Sequence, residues 1–192
     1  MRIISGSIRG KKILQPKDQS TRPLKDLTKE SIFNIIQHSN KFNTKIEKSN
    51  ILDLFSGVGS FGLECLSRGA SSVVFVENYK EVLPILKKNI INLSFSNSTL
   101  IIEKDIFNQI EFKNLTEKFN IIFIDPPYKE KNLPKLLKKI IDSKILKKDG
   151  IFIVHRHKKE KDEFPKEFNV LEEKNYGVSK IIFGISSKLK FF

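Results

Sequence analysis

Cysteine is nearly absent from this 192-residue chain, and Cys65 is the single example. With no partner it cannot form an internal disulfide, which excludes a disulfide-stapled scaffold and fits a reducing, cytoplasmic setting. Beside Phe61 and Leu66, it reads as buried helix filler rather than a nucleophile. Long hydrophobic runs are also missing. None approaches the ~20 residues of a transmembrane helix, and Met1–Gly6 lacks the apolar stretch of a signal peptide. No association with a membrane is expected. Arginine is scarce: Arg2, Arg9, Arg22, Arg68 and Arg156 complete the set. No internal repeat or low-complexity block interrupts the chain.

Against those absences stands an excess of positive charge. The net charge is +13, and 39% of residues are hydrophobic, enough for a real core. Such a balance points to a polyanionic partner, most simply nucleic acid. The richness in Lys, Ile, Asn and Phe resembles nucleotide bias, which would spread lysine evenly. The charge is not even. Residues 1–50 hold eleven Lys and Arg against four Asp and Glu. Residues 1–50 are therefore expected to form a basic RNA-binding extension rather than part of the core, with Arg2, Arg9, Lys11, Lys12 and Arg22 on phosphates. Residues 51–192 form the second unit.

The extension reads as two short strands, Arg2–Ser5 and Lys11–Leu14, around Gly6 and Gly10. Pro23 then opens a helix carrying Leu24, Leu27, Ile32, Ile35 and Ile36. Residues 37–50 are polar and read as a linker. From Ile51 the pattern alternates. Strands are predicted at 51–55, 72–76, 99–103, 120–124 and 150–154, and helices at 60–68, 79–93 and 133–143. Alternation of this kind means an α/β fold with a mostly parallel sheet and right-handed crossovers. Segments 169–173 and 180–186 add an antiparallel C-terminal edge.

Two motifs carry chemistry. Gly57, Gly59 and Gly62 satisfy G-x-G-x-x-G between a strand and a helix, and Glu77 closes the next strand, placed to accept from both hydroxyls of a ribose; a solvated strand end is the other reading of Glu77. A dinucleotide would put its pyrophosphate at the helix N-terminus, beside the negative charge of Asp53. S-adenosylmethionine instead carries a sulfonium and an ammonium group, which a carboxylate favours. Asp105 could accept from an adenine amino group while Ile106 or Phe107 packs on the ring; a helix cap is the other reading of Asp105.

The second motif is Asp125-Pro126-Pro127-Tyr128 after the apolar run Ile121–Ile124. In open α/β sheets ligands bind at this edge. Asp125 and the Pro126 carbonyl offer acceptors, and Tyr128 offers a flat face. Such a set suits a planar base with an exocyclic NH2 group. An exocyclic nitrogen is a poor nucleophile, because its lone pair is delocalised. Acceptors on its hydrogens would localise density and aim it at a methyl donor, with Tyr128 stacked on a flipped-out base.

Taken with three sequence blocks, the chain resembles the bacterial methyltransferases that modify a guanine N2 in small-subunit (16S) ribosomal RNA, the D type. The first block is Arg2-Ile3-Ile4-Ser5-Gly6 with Arg9-Gly10-Lys11. The second is Thr21-Arg22-Pro23 with Asp26, Lys29-Glu30 and Phe33-Asn34. The third runs from Asp53-Leu54-Phe55-Ser56-Gly57 through Leu63-Glu64 to Arg68-Gly69-Ala70, with the DPPY tetrapeptide downstream. The resemblance implies a Rossmann-like methyltransferase fold. It implies S-adenosylmethionine held by Asp53, Phe55, Gly57, Gly59, Glu77 and Asp105, and catalysis at Asp125 and Tyr128. It implies ribosomal RNA as partner, within an assembling or assembled small subunit, and a monomeric enzyme. One departure is visible: where relatives often carry a glutamate-containing segment, this chain has His155-Arg156-His157, expected as a loop that contacts RNA. The two histidines have no further ligand cluster nearby and are not expected to hold a metal. Other readings stay open. A DNA adenine-N6 or tRNA guanine-N2 methyltransferase shares the DPPY letters. An NAD-dependent oxidoreductase leaves them unexplained, and a non-catalytic RNA-binding protein does not need Asp125.

Overall fold

A computed structural model describes residues 1–16 and 24–189. Its centre is a seven-stranded sheet built from β1 (Asn50–Leu54), β2 (Ser72–Val76), β3 (Thr99–Ile102), β4 (Phe119–Ile124), β5 (Leu146–His157), β6 (Phe168–Tyr176) and β7 (Ser179–Ser186), in the order β3-β2-β1-β4-β5-β7-β6. The first five strands are parallel neighbours. β7 runs antiparallel between β5 and β6. The expected mostly parallel α/β sheet with an antiparallel C-terminal edge is therefore present.

The central strands are near-continuous apolar runs because both faces are covered, and successive side chains point to opposite faces. Ile51, Val73, Phe75, Ile121, Phe123, Ile151 and Ile153 face one layer. That layer holds α1 (Asp26–His38), α2 (Ser60–Ser67) and α3 (Leu83–Asn92). Leu52, Leu54, Val74, Val76, Ile122, Ile124, Phe152 and Val154 face the other, which holds α4 (Leu133–Ser143). On α4, Leu133, Leu136, Leu137, Ile140 and Ile141 are buried at helical spacing.

The boundaries differ from the sequence reading where non-local contacts intervene. α3 begins at Leu83 rather than Tyr79, with Pro84 in its first turn, where a missing N–H costs nothing. β5 runs on to His157 because β7 pairs with it there, matching Arg156 to Lys180 and His157 to Ser179. The His155-Arg156-His157 segment is thus the end of a strand, not a loop.

The N-terminal segment brings a larger correction. Its two expected segments do pair antiparallel, but only briefly, through one bridge between Arg2 and Lys12 flanked by Ile3 N–H to Lys11 O at 2.9 Å and Ile13 N–H to Met1 O at 3.0 Å. The Ile4 and Ser5 N–H groups donate instead to the buried Glu64 carboxylate of α2, at 2.8 and 2.9 Å. Ile3, Ile13 and Leu24 are buried in the same apolar cluster as α1, α2 and the sheet. The segment therefore helps complete the core, contrary to expectation, because its alternate residues are apolar and its backbone is satisfied by α2. Leu27, expected on the apolar face of α1, is exposed. Arg22 and Pro23 lie outside the described residues.

Candidate functional site

The two motifs meet at the C-terminal edge of the parallel strands. After β1 the chain turns left-handed at Phe55 (φ 59°), Gly57 (φ 54°) and Gly59 (φ 83°). A non-glycine residue with positive φ is uncommon, and such strain clusters at functional sites. The three glycines divide the work. A Cβ on Gly62 would lie 2.4 Å from the Phe75 ring, and one on Gly59 would lie 2.6 Å from Leu86 Cδ1. Both let α2 approach the core. A Cβ on Gly57 would meet nothing within 4 Å, so there the backbone is open to a ligand.

Acidic side chains brace this loop. Asp53 is 1% exposed, and its Oδ2 accepts from the Gly62 N–H at 3.0 Å. Burial holds its carboxyl well above the usual carboxylate range, and the charges of Asp125 and Glu77 add to the effect, while the Gly62 hydrogen bond works against it. Glu77, at the end of β2, accepts three backbone hydrogen bonds. Gly57 N–H reaches Oε2 at 2.8 Å, and the Asn78 and Tyr79 N–H groups reach Oε1 at 2.9 and 2.8 Å. Asp105 follows β3. Its Oδ1 accepts from the Phe107 and Asn108 N–H groups at 3.1 and 2.8 Å, and its Oδ2 from Asn78 Nδ2 at 3.2 Å. Asp105 thus has the hydrogen bonds of a turn cap. Ile106 is buried in the core, whereas the Phe107 ring lies 5.9 Å from that of Phe55.

The Asp125 N–H donates to Leu54 O at 3.2 Å, which fastens the DPPY segment directly beside the glycine loop. Pro126 is buried, and Asp125 and Tyr128 are half-buried. β4 pairs with β5 through Ile124 and Val154, so Asp125 is level with His155. His155 Nδ1 lies 2.7 Å from Asp125 Oδ1, and its Nε2 lies 2.9 Å from Ser179 Oγ. Burial works to lower the His155 pKa. The charge of Asp125 and the hydrogen bond to it outweigh that, so the pKa lies above its ordinary value, with Arg156 opposing. Tyr128 meets the His155 and His157 rings edge-on, at 6.0 and 5.1 Å.

Arg156 is buried rather than offered to RNA. Its guanidinium forks onto Asp162 at 2.9 and 2.8 Å and donates to the carbonyls of Pro127 (3.3 Å) and Glu130 (2.9 Å). It ties down the segment that carries Tyr128. Lys29 is a further buried group that the residue pattern did not assign to any site. Its Nζ donates to Arg2 O at 2.9 Å and lies 3.4 Å from both Glu64 Oε2 and Ser60 Oγ, at the start of α2. Asn89 bridges similarly: its Nδ2 donates to Leu14 O and Val58 O, and its Oδ1 accepts from Leu14 N.

Of the expected RNA-binding residues, Arg2, Arg9, Lys11 and Lys12 are all exposed. Arg2 and Arg9 line a cleft of about 240 Å³ with Ile3, Ile4, Gly10, Asp26 and Glu30. Among the described residues, no helix is long and apolar enough to cross a membrane, and no cluster of three ligand-type side chains is placed to hold a metal.

The chain is similar to known proteins over most of its length. The family described as conserved hypothetical protein 95 matches residues 1–185. The Bacillus subtilis protein YlbH, named as an rRNA methyltransferase, is 37% identical over 161 residues, 83% of this chain and 84% of that protein. Ribosomal RNA small subunit methyltransferase D of Haemophilus influenzae is 31% identical over 183 residues, 93% of this chain and 90% of that protein. The solved structure of Escherichia coli yhhF, named as a methyltransferase, superposes with a TM-score of 0.79 at 26% identity and 97% coverage of both chains. The chain is a methyltransferase and belongs to the conserved hypothetical protein 95 family.

Proposed function

We propose that this enzyme transfers a methyl group from S-adenosylmethionine to the exocyclic N2 of a guanine in small-subunit ribosomal RNA. The observation that carries the reading is the hydrogen bond from Asp125 N to Leu54 O. It sets the acceptors of the DPPY segment against the glycine loop, so that an amino group and a methyl donor can share one space. The names of the relatives supply the RNA class.

The site suits a cationic donor. Asp53, Glu77 and Asp125 are near enough for the latter two to disfavour ionisation of the first. A pyrophosphate would be repelled there, whereas a sulfonium or an ammonium would be welcome. S-adenosylmethionine supplies an activated methyl group. Gly57 leaves room for it. Three of the roughly four lone-pair positions of Glu77 are occupied by backbone, which leaves one to take a ribose hydroxyl. Asp105 acts by shaping the turn that borders the adenine, and Phe107 rather than the buried Ile106 supplies the stacking face.

Asp125 accepts a hydrogen from the target amine and holds its nitrogen in line with the methyl. Tyr128 packs on the base from one side. Positioning and fixed acceptors of this kind, already in place before reaction, supply much of the acceleration. Arg2, Arg9, Lys11 and Lys12 neutralise RNA phosphates around the target.

Mass-spectrometric mapping of methylguanosine in ribosomal RNA tests the proposal. A deletion strain should lack one N2-methylguanosine in small-subunit RNA, and the wild-type gene should restore it while the Asp125→Ala gene should not. An unchanged set of small-subunit modifications would refute it.

A further inference from the structure

We infer that His155 is a positioning residue for methyl transfer, holding Asp125 through its Nδ1–H and working in its neutral form. The inference rests on the reading of Asp125 as the acceptor of the target amine. The imidazole lies between two partners, Asp125 Oδ1 at 2.7 Å and Ser179 Oγ at 2.9 Å, and its side chain is only 6% exposed. Bound on both nitrogens and buried, it cannot turn without breaking a hydrogen bond. The Asp125 side chain is anchored at Oδ1 by this contact and is still 21% exposed as a whole. This is the arrangement needed to present one oxygen to a substrate.

The proton bookkeeping fixes which form is active. In the neutral ring Nδ1–H donates to Asp125, and Nε2 accepts from the Ser179 hydroxyl. The carboxylate keeps its full negative charge. During transfer the amine nitrogen forms a bond to the methyl carbon, the carbon–sulfur pair stays on sulfur, and the nitrogen becomes positive until it loses one proton. Asp125 Oδ2 is the oxygen placed to accept that proton, which then passes to water. A protonated ring still donates from Nδ1, with Ser179 now accepting from Nε2, but it neutralises the carboxylate when its charge is needed. The other groups around the ring leave this logic intact. Arg156, next along β5, already forks onto Asp162, and Lys180 of β7 donates to Glu160 O. Tyr128 and His157 complete the surroundings through edge-on ring contacts.

Three variants and two readouts test the inference. In the whole protein without ligands, NMR titration of the imidazole should place His155 above the ordinary histidine value, and Asp125→Asn should bring it down. Single-turnover methylation should show an acid limb at that midpoint. His155→Asn offers a non-titrating N–H to Asp125. It should keep the high-pH rate within a few-fold and lose the limb, whereas His155→Ala should lose about tenfold or more above the wild-type midpoint and show a smaller deficit below it. A wild-type limb persisting in His155→Asn, or a His155 midpoint that ignores Asp125→Asn, would overturn the inference. If His155→Asn does not fold, the titration of the wild type and Asp125→Asn decides alone. A separate failure, in which Asp125→Asn retains normal turnover, would remove the underlying reading of Asp125 instead.

Discussion

Removing the Glu77 carboxylate should loosen the cofactor loop and destabilise the fold together. Glu77 is 8% exposed and receives N–H groups from Gly57, Asn78 and Tyr79. Hydrogen bonds to a charged group are worth about 1.5–3 kcal/mol each. Asn78 and Tyr79 are exposed, so in Glu77→Ala their N–H groups regain water. The Gly57 bond is the one whose loss is not replaced in kind, because it closes β1 onto β2 across a turn already held at positive φ. A net loss of about 2–4 kcal/mol follows. For a chain of this size that is a fall in Tm of roughly 5–15 °C. Glu77→Gln retains one acceptor oxygen and should lose about half as much. Affinity for S-adenosylhomocysteine should drop by about tenfold or more in Glu77→Ala, since the loop and the ribose acceptor go together. Differential scanning calorimetry and isothermal titration calorimetry read the two effects. A Tm within a degree or so of wild type, with unchanged affinity, would refute the reasoning and place the ribose elsewhere.

Asp125→Ala should lower kcat by about a hundredfold or more while leaving S-adenosylhomocysteine affinity nearly intact, since its contact matters most in the transition state; steady-state kinetics beside calorimetry would show a near-normal kcat if the assignment is wrong. Reversing the charges of Arg9, Lys11 and Lys12 should weaken RNA binding and flatten its salt dependence by about two units of log–log slope. Cofactor binding should be spared; fluorescence anisotropy at several salt concentrations checks this, and a wild-type slope would move the RNA surface to other loops. Lys29→Met should destabilise by about 3–5 kcal/mol, because it breaks a buried pair and leaves Glu64 in the core with only Arg68 as counter-charge; a urea midpoint like that of wild type would contradict it. The His155 pKa is raised in the folded state, so its pairing with Asp125 stabilises fully below the unfolded value of ~6.5 and fades as pH rises through the folded pKa. The Tm difference between wild type and His155→Asn should shrink across that window, and a difference independent of pH would count against the pairing.

Much of this architecture is written in local pattern. Apolar runs such as Ile121–Ile124 between helices announce buried parallel strands, and the structure places them there because a strand with covered faces must be apolar on both. Glycines needed at positive φ and an acidic strand end twenty residues on are local or short-range features, so the loop of Gly57 and Gly59 and the site of Glu77 could be located from spacing alone. The DPPY segment was legible for the same reason, as a stiff tetrapeptide directly after a strand.

What tertiary structure decided is the pairing of groups distant in the chain. His155 is thirty residues from Asp125, and it comes level only because β4 and β5 adopt one register. The signal was present, since Asp125 and His155 each stand four residues after Ile121 and Ile151, directly past an apolar run, but nothing local says that β7 extends β5 as far as His157. Arg156 looked like a surface cation, yet Asp162 and the carbonyls of Pro127 and Glu130 compensate its charge and allow burial. The N-terminal segment looked like a free basic arm; its charges are outside, but Ile3 and Ile13 are inside. Its backbone docks on a carboxylate sixty residues away at Glu64, itself balanced by Lys29 and Arg68. Periodicity reports how a residue meets its sequence neighbours. The cost of burying a charge is settled by whichever partner the fold brings to it, and that partner is not encoded nearby.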